Sequence, residues 1–294
     1  MIFNSGERFQ RLFDRAEELM TRIERALPSS LPGMPEGEGI AWRWRRKGRD
    51  SGGFIPVVRP AEGALADLHG VDEQKQTLDR NTRQFVAGLP CNNALLWGAR
   101  GTGKSSLIKA LLQEYQQEGL RLIEVEPTDL VDLPDVVEPL AGRPERFIVF
   151  ADDLAFGADD PGYRALKAVL EGSVAVAPDN VVIYATSNRR HLMPEFMAEN
   201  REAQAVDGEI HPGESVEEKV SLSERFGLWL SFHPFRQDDY LTIVESWLTR
   251  LDPELPCDED AREAALQWAL ARGSRSGRVA RQFALDWVGR ARLG

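Results

Sequence analysis

Five short apolar runs alternate with amphipathic stretches through the middle of the chain. A short continuous apolar run predicts a strand buried on both faces, and a helical pattern between two such runs predicts a crossover helix. Strands joined in this way form a parallel sheet that is covered by helices on both faces. The pattern therefore predicts an α/β domain over residues 63–235, with five parallel strands at residues 93–98, 121–126, 146–152, 180–188 and 228–235.

Amphipathic helices are predicted on both sides of this domain. After residue 235 the strand pattern stops, and helical periodicity predicts a small all-α domain over residues 236–294. Within residues 1–28, apolar side chains recur at spacings of three and four, which predicts one amphipathic helix. This helix packs either on the body of its own chain or against a helix of another subunit or protein. Its polar face mixes acids and bases, which argues against a membrane-surface helix.

Residues 29–62 are rich in Pro, Gly and Ser, which predicts an extended, basic connector. Inside it the rings of Trp42 and Trp44 alternate with the cations of residues 43–49. Such a stretch can stack bases and neutralise phosphates of single-stranded nucleic acid. We prefer a packed or solvated arm against the acidic body, and nucleic-acid contact stays open as an alternative.

The composition excludes several classes of protein. The formal net charge of −11 disfavours a surface that coats nucleic acid without regard to sequence, although residues 1–60 carry a local excess of basic residues. Cys91 and Cys257 are far apart, and the four histidines have no ligand spacing, so neither a disulfide framework nor a His/Cys metal site is expected. No apolar run is long enough for a bilayer, and the N-terminus does not have the pattern of a secretory signal. We therefore expect a cytoplasmic protein without membrane contact.

The stretch GARGTGKSS matches the phosphate-binding pattern GxxxxGK[ST] and is placed between a predicted strand and a predicted helix. Its glycines let the main chain wrap an anion with inward N–H groups at the start of the helix. Lys104 would reach the β- and γ-phosphates, and Ser105 would bind Mg²⁺. The predicted phosphate contacts are Gly98, Ala99, Arg100, Gly101, Thr102, Gly103, Lys104, Ser105 and Ser106.

Polar side chains follow the next two predicted strands. Asp152 ends the strand 146–152 and is suited to the metal shell, and Asp153 follows where a base or water-orienting group is needed. Thr186, Ser187 and Asn188 end the strand 180–188 and can either bond the γ-phosphate or its water, or cap the strand end. The sequence thus predicts a site for ATP with Mg²⁺ held by Ser105 and Asp152.

In their order along the chain, these motifs resemble those of the AAA+ ATPases. GARGTGKS is similar to Walker A, FIVFADD to Walker B, and Asn188 stands where sensor 1 belongs. The segment DLHGVDEQKQTL, with Gly70 and Val71, looks like the part that packs around adenine. More narrowly, the chain is similar to a bacterial family of stand-alone ATP-binding proteins of unknown function.

The resemblance also implies roles for three arginines. Arg225 in LSERFG resembles the arginine finger, which in this superfamily enters the site of a neighbouring subunit, and it implies a ring or an arc of identical subunits. In SGRVARQF, Arg278 is the first choice for sensor 2 and Arg281 the second. The helices of residues 236–294 would then form a lid.

One departure from the superfamily pattern affects the expected mechanism, and the absence of an aromatic residue that the unfoldases of the superfamily generally have affects the expected client. The family usually has Glu after the magnesium Asp, whereas this chain has the shorter Asp153, so that turnover is expected to be slow or to need a bridging water. Residues 127–142 contain no aromatic residue, which disfavours polypeptide threading. We therefore consider two functions: a Mg-dependent ATPase that remodels an unidentified protein or protein–nucleic acid complex, and a nucleotide-gated binding module with negligible hydrolysis.

Overall fold

The computed structural model describes residues 39–46, 52–61, 63–156, 160–171, 178–189, 192, 205–206, 209–210, 222 and 224–293. Its strands are β1 (Ala41–Arg46), β2 (Gly52–Pro56), β3 (Ala94–Gly98), β4 (Leu120–Val125), β5 (Arg146–Ala151), β6 (Val181–Ser187), β7 (Ala205–Val206), β8 (Glu209–Ile210) and β9 (Leu228–Phe232). The α-helices are α1 (Asp72–Val86), α2 (Lys104–Tyr115), α3 (Leu133–Val137), α4 (Pro161–Glu171), α5 (Gln237–Leu251), α6 (Glu259–Ala271) and α7 (Gly277–Leu293). The helix predicted for residues 1–28 lies outside the described residues.

One sheet of seven strands organises the molecule, in the order β2-β1-β4-β5-β6-β3-β9. All neighbours in it run parallel except β1 and β2, which are antiparallel. The five strands from β3 onward that join this sheet are those predicted. Strands β7 and β8 form a separate two-stranded pair.

The prediction of five strands is wrong, because β1 and β2 lie in the segment that was expected to be an extended connector. The side chains of Trp42 and Trp44 are buried on one face of the sheet, and the Trp44 Nε1–H group donates a hydrogen bond to the carboxylate of Asp132 at 3.2 Å. On the opposite face of β1, Arg43 pairs with Glu124 of the adjacent strand. The alternation of rings and cations is therefore the alternation of a strand, and the two rings are not available to stack on bases.

Successive strand residues point to opposite faces and divide the core into two layers. Leu96 and Ile148 face α1, α2 and the C-terminal helices, whereas Leu95 and Val149 face α3 and α4. The sheet is thus covered on both sides, as continuous apolar runs require. In the described part of the chain, no helix is both long enough and apolar enough to cross a bilayer.

The three C-terminal helices occur where helical periodicity predicts them. Helix α5 packs against α7, and the side chain of Asp258 caps α6 by accepting a hydrogen bond from the Ala261 N–H group at 2.9 Å. Arg292 near the end of α7 contacts both carboxylate oxygens of Asp252, just after α5, at 2.7 and 2.8 Å. The contact between Arg292 and Asp252 holds the C-terminal ends of α5 and α7 together.

Candidate nucleotide-binding site

The loop between β3 and α2 has the backbone that an anion cradle requires. Gly98, Gly101 and Gly103 have φ values of 130°, 74° and 96°, in a region that favours glycine. At Gly98 a Cβ atom would lie 2.0 Å from the carbonyl oxygen of Phe232 on β9, so the two strands approach closely there. Close approach and positive φ together explain why the strand ends on glycine and turns into the loop.

Lys104, the first residue of α2, is buried against this loop. Its Nζ donates hydrogen bonds to the carbonyl oxygens of Gly98 at 2.9 Å and Ala99 at 2.7 Å, and to Oδ1 of Asn188 at 3.3 Å. Burial lowers the pKa of Lys104, an effect that the charges of Asp153 and Asp152 oppose. A phosphate group bound beside the ammonium group would favour its charged form and would therefore offset the effect of burial.

A hydroxyl and a carboxylate meet beside Lys104. The Ser105 Oγ donates a hydrogen bond to Oδ1 of Asp152 at 2.6 Å, and the Thr186 hydroxyl donates to the same oxygen at 2.5 Å. Carboxylate and hydroxyl oxygens are the ligands that Mg²⁺ takes next to nucleotide phosphates. The pair formed by Ser105 and Asp152 therefore fits a magnesium ion that also contacts phosphate.

Asp153 and Asn188 form a second polar pair at the same edge. The Asn188 amide donates to Oδ1 of Asp153, and the Asp153 N–H group donates to the Thr186 hydroxyl at 2.9 Å. With a φ of 55°, Asp153 is the non-glycine residue with positive φ in the described part of the chain. Such a conformation is uncommon outside glycine and concentrates at functional sites.

Ser187, by contrast, is buried away from this edge. Its hydroxyl donates to the carbonyl oxygen of Leu154 at 2.8 Å and accepts from the Arg189 N–H group at 3.1 Å. Of the three strand-end residues, Thr186 and Asn188 face the site, and Ser187 stabilises the turn.

A cavity of about 750 Å³ contains these groups. Its floor is the loop from Arg100 to Ser106, with Asp152, Asp153, Thr186 and Asn188 at one end. The chain before α1 forms one wall through Leu68 and Val71. The C-terminal helices form the opposite wall, which includes Ile243, Trp247, Arg250, Arg278 and Arg281.

The two arginines predicted for sensor 2 both line the cavity, and they differ in their contacts. The Arg281 guanidinium lies 5.4 Å from the ring centroid of Trp247. Arg278 has no hydrogen-bond or ion-pair partner among the residues that the structure describes. Arg278 therefore has its charge available for a ligand.

Four residues predicted for the nucleotide site or as the arginine finger do not line the cavity. Gly98 and Ala99 lie behind Lys104, and their carbonyl oxygens accept hydrogen bonds from its Nζ. Gly70 is not part of the lining; its φ of 71° turns the chain so closely that a Cβ atom would lie 3.1 Å from the Phe235 ring. Arg225 also does not line the cavity, and its guanidinium contacts the carboxylate of Glu171 in the same chain.

The structure adds lining residues that the sequence analysis missed. Lys109 is four residues after Ser105, so helical spacing alone places both on one face of α2. Trp247 and Arg250 share a face of α5 with Ile243 by the same rule, but spacing does not tell which face meets the cavity. The position of Lys109 in the lining could therefore have been predicted from the sequence, whereas the positions of Trp247 and Arg250 could not.

Comparison with solved structures confirms the AAA+ type of fold. A mutant of RuvB from Thermotoga maritima superposes with a TM-score of 0.51 at 15% sequence identity, over 76% of this chain and 64% of that one. The Aeropyrum pernix ORC1 protein, solved in complex with DNA, gives a TM-score of 0.51 at 16% identity, over 76% and 61%. The chain thus spans less than two thirds of either protein, and at this identity the likeness shows the fold alone.

Sequence comparisons give a family and no described activity. Among curated proteins, no significant match is found. The family described as "Protein of unknown function (DUF815)" matches residues 38–291, which is most of the chain and includes β1, the phosphate loop, helices α5 and α6, and all but the last two residues of α7. The protein, an α/β chain with an AAA+ P-loop fold, therefore belongs to the DUF815 family.

Proposed function

We propose that this protein binds ATP together with Mg²⁺ and hydrolyses it. The observation that carries the proposal is the convergence, in one cavity, of a glycine-lined main-chain loop, a buried lysine, a hydroxyl–carboxylate pair and a second carboxylate. This set contains a group for each task in phosphoryl transfer: holding phosphate, holding the cation and placing the nucleophile.

Each side chain has a separate task in this proposal. Lys104 and the N–H groups of the loop bind the β- and γ-phosphates, and Ser105 and Asp152 hold the cation, which supplies positive charge against the developing charge on the phosphate oxygens. Asp153 accepts the proton of the attacking water or orients that water, and Asn188 fixes the carboxylate of Asp153 through their hydrogen bond.

The helices of residues 236–294 act as a lid in this proposal, next to the α/β domain of residues 63–235. Helix α7 begins against the phosphate loop, where the Gly277 N–H group donates to the carbonyl oxygen of Gly101 at 2.8 Å. A shift of the loop on nucleotide binding would therefore move α7. Arg278, one residue later, follows that movement and contacts the phosphates.

We further propose that Arg225 completes the site of a neighbouring subunit, in a ring or an arc. Within its own chain Arg225 contacts Glu171 and stays outside the cavity, so it cannot act on its own site without a rearrangement. A guanidinium brought to the γ-phosphate is worth roughly 10³- to 10⁵-fold in rate. The assembly would use this energy to remodel a protein or protein–nucleic acid complex.

The second candidate function is nucleotide-gated binding with negligible hydrolysis. The observation that favours it is the short side chain of Asp153, whose carboxylate is already engaged by Asn188. In this case ATP would set the position of the C-terminal helices without being turned over.

Steady-state phosphate release separates the two functions. We expect the wild-type protein to release phosphate faster than the Lys104→Ala and Arg225→Ala variants. The control variant Arg80→Ala, which removes an exposed cation of α1, should release phosphate as fast as the wild type. Calorimetric titration of ATP with Mg²⁺ is run in parallel. If ATP binds with heat but the wild type releases phosphate no faster than the two variants, only the nucleotide-gated binding function remains. If no heat of binding is detected, both functions are refuted.

A further inference from the structure

The cavity of about 750 Å³ that contains the proposed nucleotide site is called the nucleotide cavity below. A second cavity, of about 230 Å³, adjoins it. It lies between α2 and the face of β1 and β4, and the chain from Val57 to Ala61 covers it. Ala61 and Lys109 line both cavities, so the two spaces meet at these residues.

The cavity exists because the sheet extends beyond its helical layer. Helix α2 packs on β4, and β1 and β2 continue the sheet past it on this face. The apolar floor consists of Leu112 from the helix and Leu122 from β4, both buried. The strands that the sequence analysis did not predict are therefore the ones that create this space.

The charges that line the second cavity do not cancel. Arg43 is neutralised by Glu124, which accepts hydrogen bonds from its Nε at 3.0 Å and its Nη2 at 2.8 Å. Arg59 and Lys109 form no hydrogen bond or ion pair with any residue that the structure describes. Two cations without a partner among the described residues therefore line this space, Lys109 half-buried and Arg59 exposed, in a chain whose net charge is −11.

The position of Lys109 sets what kind of anion could reach it. Lys109 follows Lys104 by five residues, which places it about 7.5 Å further along the axis of α2. The end of the helix that grips the β- and γ-phosphates is therefore remote from this second pair of cations. An anion there belongs either to the nucleoside end of the bound nucleotide or to a separate molecule.

We propose that Arg59 and Lys109 form a second phosphate-binding subsite that is continuous with the nucleotide cavity. It takes a phosphate group carried on the ribose of the nucleotide, or one from a separate phosphorylated ligand bound beside the nucleotide. The inference rests on the proposed nucleotide site. It adds to that site a preference for a ligand with a phosphate outside the 5′ chain.

The test compares two nucleotides by calorimetry at low salt: ADP, and ADP with an additional phosphate on its ribose 3′ oxygen. We expect the second to bind about tenfold more tightly to the wild type, because a charge-assisted hydrogen bond contributes about this factor. In the Arg59→Ala/Lys109→Ala double variant the two nucleotides should bind equally. The Arg80→Ala variant, which removes an exposed cation elsewhere, should keep the tenfold preference.

A second arm distinguishes the two sources of phosphate. Inorganic pyrophosphate is titrated into wild-type protein saturated with ADP. If pyrophosphate gives heat with the wild type and none with the double variant, the subsite is supported and its phosphate comes from a separate ligand. If neither the 3′-phosphate nor pyrophosphate distinguishes wild type from the double variant while ADP binds both, the subsite is refuted and the nucleotide site stands. If ADP itself does not bind the folded wild type, the proposed function fails first.

Discussion

Single glycines decide whether the phosphate loop can form. A Cβ atom at Gly98 would require both a strained φ and the displacement of the Phe232 carbonyl, which is backbone and cannot move aside cheaply. We expect Gly98→Ala to lower the free energy of unfolding by about 3 kcal/mol or more. Chemical denaturation measures this.

Gly289 in α7 is the matched control, because a Cβ atom there meets open space. Alanine suits a helix interior, so Gly289→Ala should raise the free energy of unfolding by about 0.5–1 kcal/mol. Equal effects of the two substitutions would contradict the role of close packing at Gly98.

The carboxylate of Asp153 is the group on which hydrolysis depends in our proposal. Asparagine tolerates positive φ as well as aspartate does, but it cannot accept the proton of a water molecule. We therefore expect Asp153→Asn to lower phosphate release about a hundredfold or more. The affinity for ATP, measured by calorimetry, should change little. Asp135→Asn, on the exposed side of α3, controls for the loss of a negative charge, and normal turnover by Asp153→Asn would exclude Asp153 from the chemistry.

Among the elements, α5 and α7 are joined by an ion pair that depends on pH. The Arg292 guanidinium beside Asp252 lowers the pKa of that carboxyl group. A carboxyl group with a lowered pKa in the folded state stabilises the protein above its unfolded pKa of about 3.9, and the stabilisation is lost as the pH falls through the folded value. We expect Arg292→Gln to be less stable than the wild type at neutral pH, and the difference to disappear at acidic pH.

Thermal unfolding between neutral pH and pH 3 measures this difference. Arg290→Gln is the control, since Arg290 pairs with Asp286 within the same exposed turn of α7 and joins no second element. A gap between wild type and Arg292→Gln that does not change with pH would show that the pair stabilises α5 and α7 by packing alone.

The element scale also shows where sequence patterns are ambiguous. A strand with a ring on one face and a cation on the other, such as β1, has the same composition as a solvated nucleic-acid arm. A buried strand differs from such an arm in the partner that each face contacts. Trp44 donates a hydrogen bond to Asp132 and Arg43 donates one to Glu124, and both acceptors are more than 80 residues away in the sequence. No local pattern carries this information. The five strands β3, β4, β5, β6 and β9, in contrast, are rich in apolar residues and could be predicted without knowledge of their partners.

At the scale of the whole molecule, the proposed assembly makes a prediction that a monomer cannot satisfy. Lys104→Ala subunits cannot bind the triphosphate but still provide Arg225, and Arg225→Ala subunits have the opposite defect. We expect each variant alone to be inactive. An equimolar mixture should recover about a quarter of the wild-type phosphate release, because about one interface in four then joins an intact site to an intact finger.

Phosphate release by mixtures of varied ratio tests this. A mixture of Lys104→Ala with the Lys104→Ala/Arg225→Ala double variant serves as the control and should stay inactive at every ratio. No recovery in the first mixture, with subunits that exchange freely, would mean that Arg225 does not act between subunits.

The sequence by itself determined the phosphate loop, the order along the chain of the five strands predicted for the α/β domain, and the acids that follow β5. These features depend on contiguous residues: Gly98 to Ser105 form their cradle through main-chain geometry, and Asp152 and Asp153 are placed by the strand β5 that they directly follow. The C-terminal helices are local in the same sense, since periodicity alone predicts them.

Only the tertiary structure decided which separate segments meet. It joined β1 and β2 to the sheet, turned Trp247 and Arg250 toward the nucleotide cavity, and brought Lys109 to a second cavity beside it. It also set Arg225 against Glu171 and away from its own site. The physical reason is that periodicity tells which residues share a face of an element, whereas burial against a partner distant in sequence decides what that face contacts.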